Sequence, residues 1–300
     1  NMYDPKVLID QILDEHHIPN VFPSQVLYEA DKVPSKVLGQ EANRRLDLRE
    51  EQIFTIDGDD AKDFDDAVSI KVLDNGNYEL GVHIADVSYY VKEDSALDKE
   101  ADKRGTSVYV ADRVVPMLPE RLSNGICSLN PNEDRLTLSC IMEIDQNGNI
   151  VDYDFYESII CSKKRMTYQK VNELLDGKEV DGYQPFKESL EKMLELSHLL
   201  REQRHKRGAI SFEIPKPKYI LDDEGRATEV EVHKRGESEK IIEDFMISAN
   251  ECAATMMESL DHPFQYRVHP KPDPYHIKTV LEMLEKMGYH YHLDLNYGVE

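Results

Sequence analysis

The 300-residue chain predicts an α+β fold, a mixed and largely antiparallel sheet core wrapped by helices. Two observations point there. Strand signals dominate the first half of the chain and helical ones the second, a segregation that favours α+β over an alternating α/β order. Two Asn-Gly pairs, Asn75-Gly76 and Asn147-Gly148, each sit between apolar stretches of strand length. Such a pair accepts positive φ readily and closes an antiparallel hairpin.

Residues 1–49 read as a preamble. A helical pattern places Val7, Leu8, Ile12 and Leu13 on one face, then meets the proline-marked segment 18–23. A second helix-like piece and the charged stretch 44–49 follow. From residue 53 the period changes, and 53–56 reads as a strand entering an acidic loop. Residues 67–73, the turn Asp74-Asn75-Gly76-Asn77, and residues 78–87 form the strongest hairpin signal. Further strands are expected at 107–110, 136–144 and 150–162. A helix over 184–207 carries Leu190, Leu194, Leu196 and Leu200, with Gly208 as its stop. A strand pair brackets 222–225, and a long helix covers 239–260. Asp273 as N-cap with Pro274 at the first helical position opens another helix to about residue 287. The sequence contains no internal repeat and no low-complexity tract.

Composition narrows the class. A hydrophobic share of 40% with 16 tyrosines argues for a packed core over disorder. No apolar run approaches the roughly 20 residues of a membrane span. The N-terminal decapeptide lacks the layout of a signal peptide. Cys127, Cys140, Cys161 and Cys252 are isolated, as in buried thiols of a reducing compartment. The expectation is a cytoplasmic protein without a membrane partner. The net charge of −23 taken alone disfavours nucleic acid, since phosphate binding wants basic surface. The basic stretches 161–167 and 201–208 are candidate exceptions, although such runs are more often solvated faces.

Thr55-Ile56-Asp57-Gly58-Asp59-Asp60-Ala61-Lys62-Asp63-Phe64-Asp65-Asp66-Ala67 is the most informative stretch. It packs six aspartates into ten residues between apolar strands. Two carboxylates 4 Å apart repel by about 4 kcal/mol at an effective dielectric near 20. The cluster is therefore either splayed into water or neutralised by divalent ions, and hard oxygen ligands select Mg²⁺, Mn²⁺ or Ca²⁺. A calcium loop fails on spacing. Counted from Asp57, the sixth position is Lys62 where glycine is needed, and the twelfth is Val68 where glutamate is needed. A carboxylate nest between two strands, with Phe64 and Ala67 turned to apolar structure, suits ions that clamp a phosphodiester.

The same stretch resembles the signature of the ribonuclease II/ribonuclease R (RNB) family, with the bacterial ribonuclease R branch nearest. Segments 83–91, 104–109, 116–131, 165–168, 208–213 and 241–246 follow that family's motifs in order. The resemblance runs from about residue 18 to the end. It implies residues 1–20 as the tail of a preceding cold-shock-type RNA-binding module and 21–49 as a linker. Residues 50–300 would be the N-terminal and central part of an RNB exoribonuclease domain, C-terminally incomplete.

The resemblance further implies processive, hydrolytic 3′-to-5′ degradation of single-stranded RNA to nucleoside 5′-monophosphates, with Mg²⁺ or Mn²⁺ as its substitute. DNA would not be a preferred substrate. By that analogy Asp57, Asp63, Asp65 and Asp66 line the metal site, with Asp65 the most sensitive. Tyr109 and Phe212 would sandwich terminal bases, since stacking grips any base without reading it. Glu243 would hold the terminal ribose, where acceptance from a 2′-OH favours RNA. Tyr168 would line the channel near the cleavage site. Seen alone, Tyr109, Phe212 and Glu243 would be ordinary core or helix residues, and His290 and His292 read as part of a partly exposed strand.

The family's later Ser-Pro-Ile-Arg-type motif is absent, and Pro270 stands where an acidic residue is common. Weak or no activity is therefore expected of the isolated segment, because losing a transition-state arginine costs several orders of magnitude. A catalytically silent RNA-binding relative is the alternative from another class.

Overall fold

Two local hairpins build the central sheet. The computed structural model describes residues 11, 21–92, 94–104, 108–110, 113–115, 118–208, 216–221, 223, 227–233, 236–261 and 278–283. The chain divides into two compact units whose segments interleave: residues 1–36, 87–128 and 211–235 form one, and 37–86, 129–210 and 236–300 the other.

In the first unit lie helices α1 (Ser24–Lys32), α3 (Val87–Tyr90) and α4 (Ala96–Arg104), with hairpins β5–β6 (Val108–Val110, Arg113–Val115) and β10–β11 (Lys216–Leu221, Ala227–His233). Glu29 of α1 satisfies the opening turn of α4, its carboxylate accepting from the Ala96 and Leu97 amides at 3.0 and 3.2 Å. The Arg104 guanidinium closes the other end over the Phe22 ring, 3.8 Å from its centroid.

The second unit contains α2 (Gly39–Arg44), β1 (Leu46–Asp47), β2 (Thr55–Asp57), β3 (Asp66–Val72) and β4 (Tyr78–Ala85). It continues with β7 (Asp134–Ile144), β8 (Ile150–Cys161), β9 (Arg165–Thr167), α5 (Tyr168–Leu175), α6 (Lys187–Lys206) and α7 (Glu237–Asp261). Its main sheet has the order β1-β8-β7-β4-β3, all antiparallel except the β1–β8 edge. The mixed, largely antiparallel sheet with helices against it is the expected fold. Both Asn-Gly turns hold glycine at positive φ, 85° at Gly76 and at Gly148. Gly148 is required twice over, because a Cβ there would stand 2.6 Å from the Leu199 carbonyl of α6.

Successive strand residues alternate faces, and the two faces differ in kind. One carries Leu80, Val82, Ile84, Leu138, Cys140, Met142 and Phe155, which join Leu190, Met193 and Leu196 of α6 and Phe245, Ala249, Ala253 and Met257 of α7 in one core. Each such large side chain contributes roughly 1.5–3 kcal/mol on full burial. The alternate positions carry a buried polar chain. His83 Nδ1 meets Ser139 Oγ at 2.6 Å and Nε2 meets Ser69 Oγ at 2.9 Å. Ser139 passes to Ser158 at 2.5 Å, and Ser158 to Thr137 at 2.7 Å. Gly81 leaves the space for this, since a Cβ would fall 2.3 Å from Ser69 Oγ. Arg45 ends the chain, donating to the Thr137 and Ser158 carbonyls at 3.1 and 3.4 Å and pairing with Asp86 at 2.6 Å. Both charges are buried, and the pair with its extra acceptors meets the condition under which buried ions are tolerated.

Some elements differ from the sequence reading. The strand expected to reach residue 87 ends at Ala85, because Asp86 turns to pair with Arg45 and Val87 opens α3. Helix α4 escaped notice because ALDKEADKR is charged nearly all round and buries only Leu97 and Glu100. Helix α5 was not foreseen either. The expected N-terminal helix and most of the one opening at Asp273 lie outside the described residues.

Burial lowers the His83 pKa from 6.5 to about 3. Its folded form therefore binds fewer protons than the unfolded chain between those values, and stability falls as pH drops through that window. Measured by denaturant unfolding from pH 7.5 to 4.5, wild type should lose stability faster than His83→Gln, by up to ~1.4 kcal/mol per pH unit. Parallel profiles would sink this account.

Candidate metal centre

Strand β2 delivers Asp57, and β3 begins at Asp66; the loop between them carries the rest of the cluster. β2 pairs in parallel with β9, setting Thr55 opposite Arg165 and Asp57 opposite Thr167. Phe54 bridges Val68 of β3. Both supports follow from apolar residues at Phe54, Ile56, Val68 and Met166, all buried.

Backbone hydrogen bonds fasten the loop at several points. The Ala61 amide donates to the Gly58 carbonyl at 3.2 Å, the Leu129 amide to Phe64 at 2.8 Å, and the Ala85 amide to Asp65 at 2.9 Å. Arg165 Nη2 donates to the Gly58 and Ala61 carbonyls, the second at 3.4 Å. Its guanidinium lies 5.1 Å from the centroid of the buried Phe64 ring. Asp59 and Asp60 point to solvent with Asp65, while Asp57, Asp63 and Asp66 are half-buried.

Asp57 is the residue on which burial and crowding meet. Its carboxyl is pushed up to about 8, first by burial, then by Asp66, with Asp65 and Asp63 adding and Arg165 opposing. Asp57 Oδ2 is buried and accepts no hydrogen bond. Tyr168 stands at the same place. Thr167 caps α5, accepting from the Lys170 amide at 3.2 Å, so Tyr168 begins the helix directly after the residue opposite Asp57. Its phenol is raised well above the ordinary range by burial, then by Asp57, Asp66 and Glu239. Ser238 at the start of α7 donates to the Tyr168 carbonyl at 3.0 Å and fixes the two helix starts together.

The structure thus brings together Asp57, Asp63, Asp65, Asp66 and Tyr168. Glu243 lies on α7 with its side chain exposed, next to the buried Asp244 that binds Ser197, Arg201 and Arg204. Tyr109 sits in β5 of the other unit, and Phe212 lies outside the described residues. Two residues were missed. Glu239 both bears on Tyr168 and accepts from the Gly236 amide at 3.2 Å; its place three residues after the helix cap was the available signal. Arg165 was read as part of a basic run and of a family-like motif, with no role of its own. The first run is partly buried and engaged, with Lys163 donating to the Arg49 carbonyl at 2.6 Å and Lys164 over the Tyr183 ring, while the end of the second is exposed at Lys206 and Arg207.

Among the described residues, no three acidic, imidazole or thiol groups converge tightly enough to hold an ion as the side chains stand. The donor set nevertheless fits a hard divalent cation. Carboxylate oxygens are its preferred ligands, and a buried carboxylate oxygen without a partner is the atom such an ion would satisfy.

A family model described as the RNB domain matches residues 45–297. Ribonuclease R of Thermotoga maritima is 52% identical over 289 residues, covering 95% of this chain and 41% of that protein. Ribonuclease R 1 of Lactococcus lactis is 48% identical, covering 95% of this chain and 35% of that protein. The chain thus spans about two-fifths of the length of these curated relatives. Among solved structures, Mycoplasma genitalium RNase R in complex with ribose-methylated single-stranded RNA superposes with a TM-score of 0.81 at 31% identity. That match covers 99% of this chain and 46% of the other.

The raised Asp57 pKa has a consequence for stability. The folded state holds this proton between pH 4 and 8 where the unfolded chain releases it, so stability falls as pH rises through that range. In EDTA at pH 8, Asp57→Asn should melt above wild type, and the difference should vanish near pH 4. A variant that melts no higher than wild type at pH 8 would remove the case for a strained carboxylate.

Proposed function

The chain belongs to the RNB domain family, and on that premise we propose that the protein is a metal-dependent exoribonuclease that hydrolyses RNA from the 3′ end to nucleoside 5′-monophosphates. One observation carries the reading: the unpaired, buried Oδ2 of Asp57 stands amid the carboxylates of Asp63, Asp65 and Asp66. It lies within the span the family model matches. The ribonuclease R names of the relatives supply the substrate class.

In this reading Asp57, Asp63, Asp65 and Asp66 hold magnesium, with manganese as a substitute. When bound, the metal supplies an activated water and neutralises charge at the leaving oxygen. The chain's own groups do the positioning. Tyr168 keeps its proton, because burial and the adjacent carboxylates oppose ionisation, and its hydroxyl donates to a phosphoryl oxygen near the scissile bond. Tyr109 and Phe212 stack on the terminal bases at ~1–3 kcal/mol each. Glu243, exposed on α7, accepts from the ribose hydroxyls and so favours RNA over DNA. Successive release of mononucleotides without dissociation, in the cytoplasm, completes the proposal.

The test is decay of end-labelled single-stranded RNA with Mg²⁺ by the full-length protein, beside Asp65→Asn and beside DNA of the same sequence. Wild type should ladder the RNA and spare the DNA. Asp65→Asn should be slower by at least ~10²-fold, the scale of losing one electrostatic stabiliser of a transition state. Equal decay by both proteins would defeat the assignment of Asp65. Binding without decay by either would favour a catalytically silent relative.

A further inference from the structure

Arg165 stands inside the most acidic segment of the chain, yet every donor described for it goes to the protein's own backbone. Nη2 reaches the carbonyls of Gly58 and Ala61, and Nη1 reaches that of Met166 at 3.3 Å. The guanidinium carbon lies over the Phe64 ring, 5.1 Å from its centroid. β9 holds its backbone, with Arg165 opposite Thr55 in the parallel register. Gly58 and Ala61 are also the two ends of a turn closed by the Ala61 amide. One side chain therefore ties both ends of that turn to a strand and places a permanent cation among the aspartates.

Three of the five N–H donors of this group are committed to backbone carbonyls of the loop and its supporting strand. Charge-assisted hydrogen bonds are about twice as strong as neutral ones, and a planar guanidinium can serve two carbonyls and a ring at once where an ammonium cannot. We propose that Arg165 is a positioning residue: through Gly58, Ala61 and Phe64 it sets the shape of the acidic loop before any divalent ion arrives. This rests on the reading that Asp57, Asp63, Asp65 and Asp66 receive such an ion. The loop is then preorganised by an internal counterion, and the metal binds into a shape already made.

Manganese binding to the full chain, followed by electron paramagnetic resonance, tests this together with hydrogen exchange of the loop amides in EDTA. Arg165→Ala should keep its melting transition, lose affinity for Mn²⁺ by ~10- to 100-fold as supporting-residue changes do, and lose protection at the loop amides in EDTA. Arg165→Lys, which keeps the charge and loses the fork, should recover only part of both. Unchanged Mn²⁺ affinity in Arg165→Ala overturns the proposal. So does a wild-type loop that is unprotected in EDTA and becomes protected only with Mn²⁺. Where Arg165→Ala does not fold, Arg165→Lys decides, and wild-type affinity in that variant overturns it. Failure of wild type to bind Mn²⁺ defeats the metal reading instead, and the exchange comparison in EDTA still judges Arg165.

Discussion

Mutual repulsion among carboxylates is the constraint around which the second unit is arranged. Six aspartates in ten residues have to coexist beside a buried apolar sheet. Water takes part of the load at Asp59, Asp60 and Asp65, which are exposed. Arg165 supplies a cation from the neighbouring strand, and amides from Ala85 and Leu129 hold the loop backbone from outside. What is left falls on Asp57, whose carboxyl is pushed up to about 8, first by burial and then by the neighbouring Asp66. A site left short of positive charge in this way is suited to acquiring it from solution.

The sheet serves that site through its register. A slip of one residue of β3 against β4 would turn Ser69 away from His83 toward the apolar core and bring Val68 and Ile70 onto the polar side. Buried hydroxyls and an imidazole that satisfy one another in one register only, with Gly81 opening the space, make such a slip costly. Since β3 begins at Asp66, fixing its register also fixes where that carboxylate enters the cluster. The polar chain and the acidic loop are thus mechanically linked, although their chemistry is separate.

Much of this was legible from sequence, for identifiable reasons. Asn75-Gly76 and Asn147-Gly148 announce their hairpins because the required φ is cheap only for such residues, and the long apolar strands around them leave little choice of partner. The acidic cluster is conspicuous because charge density beside strands is expensive. What stayed hidden depends on contacts distant in sequence. Arg165 is one cation in a basic run until β2 and β9 pair, and Glu239 is a helix-start acid until α5 and α7 meet at Ser238. Helix α4 lacks an apolar stripe, so periodicity had nothing to detect. The roles of Tyr109, Phe212 and Glu243 rest on family likeness, since no local pattern separates a stacking aromatic from a core one.

The interleaving of the two units bears on how the chain acquires its structure. Strands β3 and β4 are joined by a tight turn, as are β7 and β8, and both hairpins can form as soon as their residues emerge from the ribosome. The seam between β4 and β7 is different, because residues 87–128 of the other unit lie between those strands in sequence. Its closure waits for the whole intervening segment, and the entropic penalty of closing so long a loop shrinks if that segment is already compact. Until then β4 presents an unpaired apolar edge, the kind of surface that invites pairing with another chain. The order of synthesis therefore places the inserted segment 87–128 ahead of the β4–β7 seam, and the sheet that supports the acidic loop closes only after it.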